Sequence, residues 1–143
     1  MATDTFSKGS LSALTEFVDP SKSNPDSASG KNIISLLQTP EVIPITSQDG
    51  KVTLYCAIYR PDQAVYGPGP YPAIVSVYGG PHVQRVMNNW MLAADLRAQR
   101  LAQDGCVVIK CDNRGSSRRG LEFEGAVKWN MGLIEVDDQR VSV

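Results

Sequence analysis

Apolar positions first fall into a regular period between Glu41 and Pro61. In EVIPITSQDGKVTLYCAIYRP a β-branched run leads to Asp49-Gly50, and a second, alternating run follows. Alternation places Val52, Leu54, Cys56 and Ile58 on one face of a strand, and Lys51, Thr53 and Tyr55 on the other. Asp-Gly between two such runs predicts a hairpin. Pro61 ends the second strand, and DQAVYGPGPYP reads as a turn-rich connection. AIVSVY, residues 73–78, is a short continuous apolar strand ending at Tyr78, where Gly79-Gly80-Pro81 turns the chain. The period then lengthens. Met91, Ala94, Ala98, Leu101 and Ala102 recur at helical spacing, with Asn88 or Asn89 at the N-cap and Gly105 just past the end. CVVIKCD is a second strand of the fully buried type, closed by Asn113-Arg114-Gly115. A weaker helical pattern comes next, and GLIEVDDQ opens another helix with acids in its first turn.

Hairpin, strand, helix, strand, helix is the order of an α/β protein with a largely parallel sheet. Residues 1–40 carry little pattern, and the Pro/Ser/Gly/Asp-rich stretch Asp19 to Lys31 reads as a loop or linker. The organisation expected is a poorly ordered segment 1–40 followed by an ordered unit 41–143.

Composition narrows the function classes. Of 143 residues 42% are apolar and 20% charged, a globular balance, and the net charge of −1 offers no basic field for nucleic acid or an anionic membrane. No apolar run of about 18 residues is present to span a bilayer. The opening MATDTFSKGSLSALTEFV lacks the apolar centre of a signal peptide, so a cytoplasmic setting is expected. Cys56, Cys106 and Cys111 have no metal-type spacing and read as small hydrophobes rather than a disulfide or redox site. No metal or other cofactor is expected. The Ser29-Gly30-Lys31-Asn32 stretch lacks phosphate-loop spacing, and Gly-x-Gly-x-x-Gly is absent. A phosphate-cradling role for Gly79-Gly80 is disfavoured because Pro81 and further residues precede the next helix.

Chemistry gathers at the carboxyl ends of parallel strands, where Tyr78 and Asp112 both fall. The two glycines let the chain turn without displacing the phenol, and Pro81 stiffens the exit. A phenol held so is suited to donate a hydrogen bond to a developing oxyanion. It equally suits a Tyr that fills the sheet edge and bonds a backbone carbonyl.

YPAIVSVYGGPHVQRV, DLRAQRLAQDGCVVIKCDNRGSSRRGLEFEGAV and GLIEVDDQ together resemble the opening of the catalytic domain of the prolyl oligopeptidase family, nearest to its dipeptidyl-peptidase IV branch in the cytosolic form. The resemblance covers residues 41–139 and is densest from Tyr71 to Gly125. It implies an incomplete α/β-hydrolase fold, with residues 1–40 a remnant of the last blade of a β-propeller. It implies also that Tyr78 is the oxyanion donor to the intermediate formed when a serine attacks a peptide carbonyl. Asp112-Asn113-Arg114-Gly115 is similar to the family's Asp-x-Arg-Gly loop beside the site, where Arg114 holds acids or carbonyls in a structural role. Gly79, Gly80, Pro81, Asp112, Arg114 and Gly115 are thus expected as structural neighbours of Tyr78. Arg118 and Arg119 are expected in solvent, and Glu122 and Glu124 only weakly as acid–base partners.

The chain departs from the family in what it lacks. The Gly-x-Ser-x-Gly elbow is absent, and Gly115-Ser116-Ser117-Arg118-Arg119-Gly120 is too long and too basic to serve. His82, the single histidine, sits in the turn rather than where a triad base belongs. RVSV replaces a continuing helix. The expectation is a truncated serine-type peptidase that is inactive alone, with an exposed sheet edge and a tendency to aggregate. Its parent takes a peptide substrate. The alternative is a non-catalytic module that forms a homo-oligomer or associates with a full-length enzyme.

Overall fold

A computed structural model of the protein describes residues 37–143. The expectations for residues 1–36 lie outside the described residues.

The hairpin forms as its pattern predicts. Strand β1 (Glu41–Thr46) pairs antiparallel with β2 (Thr53–Tyr59), from Glu41 opposite Ile58 to Thr46 opposite Thr53. The Asp49 carboxylate organises the turn, accepting from Ser47 Oγ at 2.7 Å and from the Lys51 amide at 3.2 Å. Gly50 takes the left-handed conformation beside it, with φ 72°.

The connection that follows contains a helix that Pro and Gly content had hidden. Helix α1 (Gln63–Tyr66) is capped by Asp62, which accepts from the Ala64 amide. The Tyr66 hydroxyl donates to the Gln103 carbonyl at 2.6 Å, and its ring lies where a Cβ on Gly105 would stand, 2.8 Å away.

Strand β3 (Ala73–Val75) runs parallel to β4 (Val107–Asp112), which in turn pairs antiparallel with β2. The sheet order is β1-β2-β4-β3. The α/β class holds, but the described sheet is mixed, with β3/β4 its one parallel pairing among the described residues. The hairpin imposes antiparallel pairing on one side, and only a crossover through helices allows the parallel pair on the other.

That crossover is two helices rather than one. Helix α2 (Trp90–Ala93) is capped by Asn89, and α3 (Leu96–Gln103) by Asp95, whose Oδ1 accepts from the Ala98 amide at 3.0 Å. Asp95 also pairs through Oδ2 with the ammonium of Lys110 on β4. Drawing that residue down to the sheet breaks the helical run and turns Met91 outward. Lys110 Nζ bonds the Tyr59 hydroxyl at 3.2 Å, and Tyr59 donates to the Leu92 carbonyl. Burial lowers the Lys110 pKa, partly offset by the bond and charge of Asp95.

Two apolar clusters sandwich the sheet. Ala57, Tyr59 and Val108 meet Val86, Leu92, Ala98 and Ala102 on one face. The small alanines let α3 approach the strands closely. Leu54, Cys56 and Cys111 meet Phe123 on the other face, delivered by helix α4 (Leu121–Gly125). Helix α5 (Ile134–Arg140) follows and buries Glu135, Asp138 and Gln139. The alternation of β2 therefore holds over Thr53 to Cys56 and fades toward Tyr59, where both faces are covered. Among the described residues no strand pairs with the outer edge of β3. An open cleft of about 600 Å³ lies beside it, lined by Ile74, Val75, Val77, Arg97 and Leu101 among others.

Candidate functional site

Tyr78 is not the last residue of its strand. The ladder closes with the Ser76 amide donating to the Ile109 carbonyl at 2.8 Å. The Ser76 carbonyl, which the next ladder bond needs, instead accepts from Arg85 Nη1 at 2.6 Å, while Nη2 reaches Ser76 Oγ at 3.0 Å. Val77 and Tyr78 leave the sheet as a result, and Tyr78 is 53% exposed.

The turn carrying Tyr78 is nonetheless held at several points. Asp112, at the end of β4, accepts from the amides of Arg85 (2.8 Å) and Val86 (3.0 Å) through its two carboxylate oxygens. Burial raises its pKa, and those amides and the Arg85 charge pull in the other direction. Asn113 Nδ2 donates to the Gly79 carbonyl at 3.4 Å, and the His82 amide to the Gly115 carbonyl at 3.0 Å. The loops 76–86 and 112–116 thus form one clamped pair.

The two glycines have separate roles. Gly79 has φ 76°, a conformation that L side chains rarely adopt. Gly80 makes room: a Cβ there would stand 3.1 Å from Tyr78 Cε1. The ring lies against Gly80 and is half-exposed, and among the described residues its hydroxyl has no hydrogen-bond partner. A phenol in that setting has a proton to give.

Arg114 faces the other way. Its Nε and Nη2 donate to the two oxygens of Asp138 at 2.9 and 2.6 Å, its Nη1 to Asp49 at 2.7 Å, and its own amide to Asp138 at 2.9 Å. One guanidinium thereby joins the hairpin turn, the loop after β4 and α5. The bond to Asp138, with that to Asp49, raises the Arg114 pKa against the cost of burial. The Asp49 carboxyl is held below its usual range by Ser47 first and Arg114 next. Gln139 Nε2 adds bonds to the Cys111 carbonyl (3.0 Å) and Asn113 Oδ1 (2.9 Å). Gly115 has φ 100°, and a Cβ on it would meet Val127 at 2.9 Å.

Arg119 is only partly in solvent. It stacks on Phe123 and Tyr55, 4.4 and 5.1 Å from the ring centres, and donates to the Thr53 carbonyl at 2.9 Å. Aromatic rings within about 6 Å of a cation attract it. Arg118 is exposed as expected, and its amide donates to Glu124 Oε1 at 2.9 Å. Glu124 Oε2 lies 3.8 Å from His82 Nδ1, and Glu122 is exposed. Ser116 is buried with its hydroxyl bonded to the Asn113 carbonyl at 2.7 Å, so it is no poised nucleophile. Among the described residues no group of three or more His, Cys, Asp or Glu is placed to hold a metal. No helix among them is long and apolar enough to cross a membrane.

Tyr78, Gly79, Gly80, Pro81, Asp112 and Gly115 therefore share one loop pair, with Arg114 bracing it from behind. Arg85, Asn113, Asp49 and Asp138 complete the brace, and nothing local in the sequence signals that role. Asp49 as a turn residue, Asn113 as part of the loop after the second buried strand, and Asp138 as an acid in a short helix are visible there in other roles.

Comparison with known proteins places the chain among a set of relatives. The model of the prolyl oligopeptidase family of peptidases matches residues 92–143. Dipeptidyl peptidase 8 of Mus musculus and that of Homo sapiens are each 46% identical over 100 residues, covering 70% of this chain and 11% of the relative. Prolyl endopeptidase FAP of Mus musculus is 30% identical over 113 residues, 79% of this chain and 14% of that protein. Among solved structures, a putative dipeptidyl aminopeptidase IV from Bacteroides ovatus superposes with a TM-score of 0.66 at 37% identity, over 74% of this chain and 15% of that one. The chain spans about a ninth of the length of the dipeptidyl peptidases it matches.

Proposed function

The chain belongs to the prolyl oligopeptidase family, and from that premise we propose that it is the opening part of the catalytic domain of a serine-type dipeptidyl peptidase, with Tyr78 as the oxyanion donor. In such an enzyme a serine attacks the peptide carbonyl and negative charge develops on its oxygen. The Tyr78 hydroxyl donates to that oxygen, and the acyl-enzyme is later released by water. A donor aimed before the reaction needs no reorganisation as charge appears, which is why such groups contribute roughly 3–4 kcal/mol to the transition state. The observation that carries this reading is the clamped, outward Tyr78 with an unpartnered hydroxyl. Three free thiols suit a reducing cytosol, the setting we assign to it.

These 143 residues by themselves contain no Gly-x-Ser-x-Gly elbow and one histidine. A lone oxyanion donor binds charge but breaks no bond, so the chain alone is inactive. The purified chain is expected to leave a Gly-Pro amide intact. Turnover that a serine-reactive phosphonate abolishes would contradict this.

The edge of β3, unpaired among the described residues, and the cleft beside it favour a second reading. An open strand edge offers a row of backbone groups for another strand, so the chain acts as a module that associates with a full-length relative. Co-purification with a full-length dipeptidyl peptidase is the expected result, and its absence from every pull-down removes the reading.

A further inference from the structure

Neighbouring antiparallel strands set opposite residues side by side, and β2 and β4 place Cys56 opposite Cys111. Both side chains point into the cluster with Leu54 and Phe123, both thiols are free, and they are 1% and 4% exposed. Opposite residues in such a ladder have Cβ atoms about 4.5–5.5 Å apart, and a disulfide requires about 3.5–4.5 Å. A small pinch of the two strands closes the gap. Neither thiol has a part in the peptidase reading. Sequence spacing gave no sign of the pair, because 54 residues separate the two cysteines and only the register across β2 and β4 joins them.

We propose that Cys56 and Cys111 form a redox modification site, at which an oxidant of the peroxide class produces a cross-strand disulfide that thiol reductants reopen. The Cys56 sulfur attacks one peroxide oxygen, the O–O bond breaks, and a sulfenic acid and one water result. The Cys111 sulfur then displaces the hydroxyl, its proton leaves with it as a second water, and the S–S bond forms. Two thiols and one hydrogen peroxide thus give one disulfide and two waters. The register sets the two sulfurs side by side, so the same balanced sequence follows if Cys111 attacks first and Cys56 closes the bridge.

The pair is covered by Phe123 of α4, five residues long with no side-chain cap at its N-terminus, and by Val141 packed against the same cluster; local opening of that cover admits the oxidant. The consequence reaches the site described above, because Cys111 directly precedes Asp112, whose carboxylate anchors the Tyr78 loop. The inference itself rests on the strand register and stands apart from the assigned reaction.

The test treats the full chain with hydrogen peroxide in native buffer and then alkylates it in denaturant. The expected product is lighter by two hydrogen atoms and takes one alkyl group instead of three. Its tryptic digest joins the peptide Val52–Arg85 to Cys111–Arg114, because the Arg60–Pro61 bond resists trypsin, and dithiothreitol restores three alkylations. A Cys106→Ala variant, altered outside the pair, is expected to form the same bridge and take no alkyl group. In urea the three cysteines of the unaltered chain are expected to pair as a mixture, showing that the register selects the partner. Three alkylatable thiols after peroxide, a native-buffer bridge that uses Cys106, or oxidation that stops at a sulfinic acid would each overturn the proposal.

Discussion

Arg114→Met is expected to destabilise the folded chain by about 3–5 kcal/mol, the usual cost of breaking a buried ion pair from one side. The guanidinium is 8% exposed and its partner Asp138 is fully buried. Removing the cation leaves the Asp138 carboxylate with the Arg114 amide as its remaining donor, in surroundings that cannot solvate a charge. A domain of this size is stable by roughly 5–15 kcal/mol, so the loss is a large share of the total. Arg114→Lys is expected not to rescue it, since an ammonium cannot give two parallel bonds to Asp138 while also reaching Asp49. Asp49→Asn touches an exposed turn carboxylate and is expected to leave the midpoint close to that of the unsubstituted chain. Arg114→Met combined with Asp138→Leu removes the stranded charge and is expected to regain part of the loss. Urea midpoints followed by circular dichroism check the series. An unchanged midpoint for Arg114→Met would show that the brace carries no stability.

Local patterns made the elements legible, and distant partners did not. Asp49-Gly50 announced the hairpin because a turn of that kind is encoded in adjacent residues. Tyr78 with its two glycines was legible as a turn, since positive φ at Gly79 and room at Gly80 are local demands. The strand end was misplaced by three residues, because the capture of the Ser76 carbonyl by Arg85 depends on a side chain nine positions away. The single crossover helix became two because Lys110, on a strand still to come, draws Asp95 out of the helical run. Arg119 was placed in water because its stacking partners Tyr55 and Phe123 lie on different elements. Asn89 at the N-cap and Gly105 after the helix end were readable, being signals a helix carries in its own sequence.

Tyr78→Phe is expected to have the largest effect on catalysis once the missing machinery is supplied. A chimaera supplies it: residues 41–139 of this chain replace the matching segment of dipeptidyl peptidase 8. The substitution removes one oxygen and keeps the ring that packs against Gly80, so the turn keeps its shape. What is lost is a hydrogen bond that strengthens as charge develops on the carbonyl oxygen. Such a loss lowers kcat and leaves substrate binding largely intact. Gly80→Ala, by contrast, is expected to displace the ring and disturb KM as well, since a Cβ there would press on Cε1 at 3.1 Å. The most direct measurement is therefore the ratio of kcat between the Tyr78→Phe chimaera and the unsubstituted chimaera on a Gly-Pro amide. A fall of about 10²–10³ with KM little changed is the predicted result, and an unchanged kcat would show that the phenol at this turn does not meet the oxyanion.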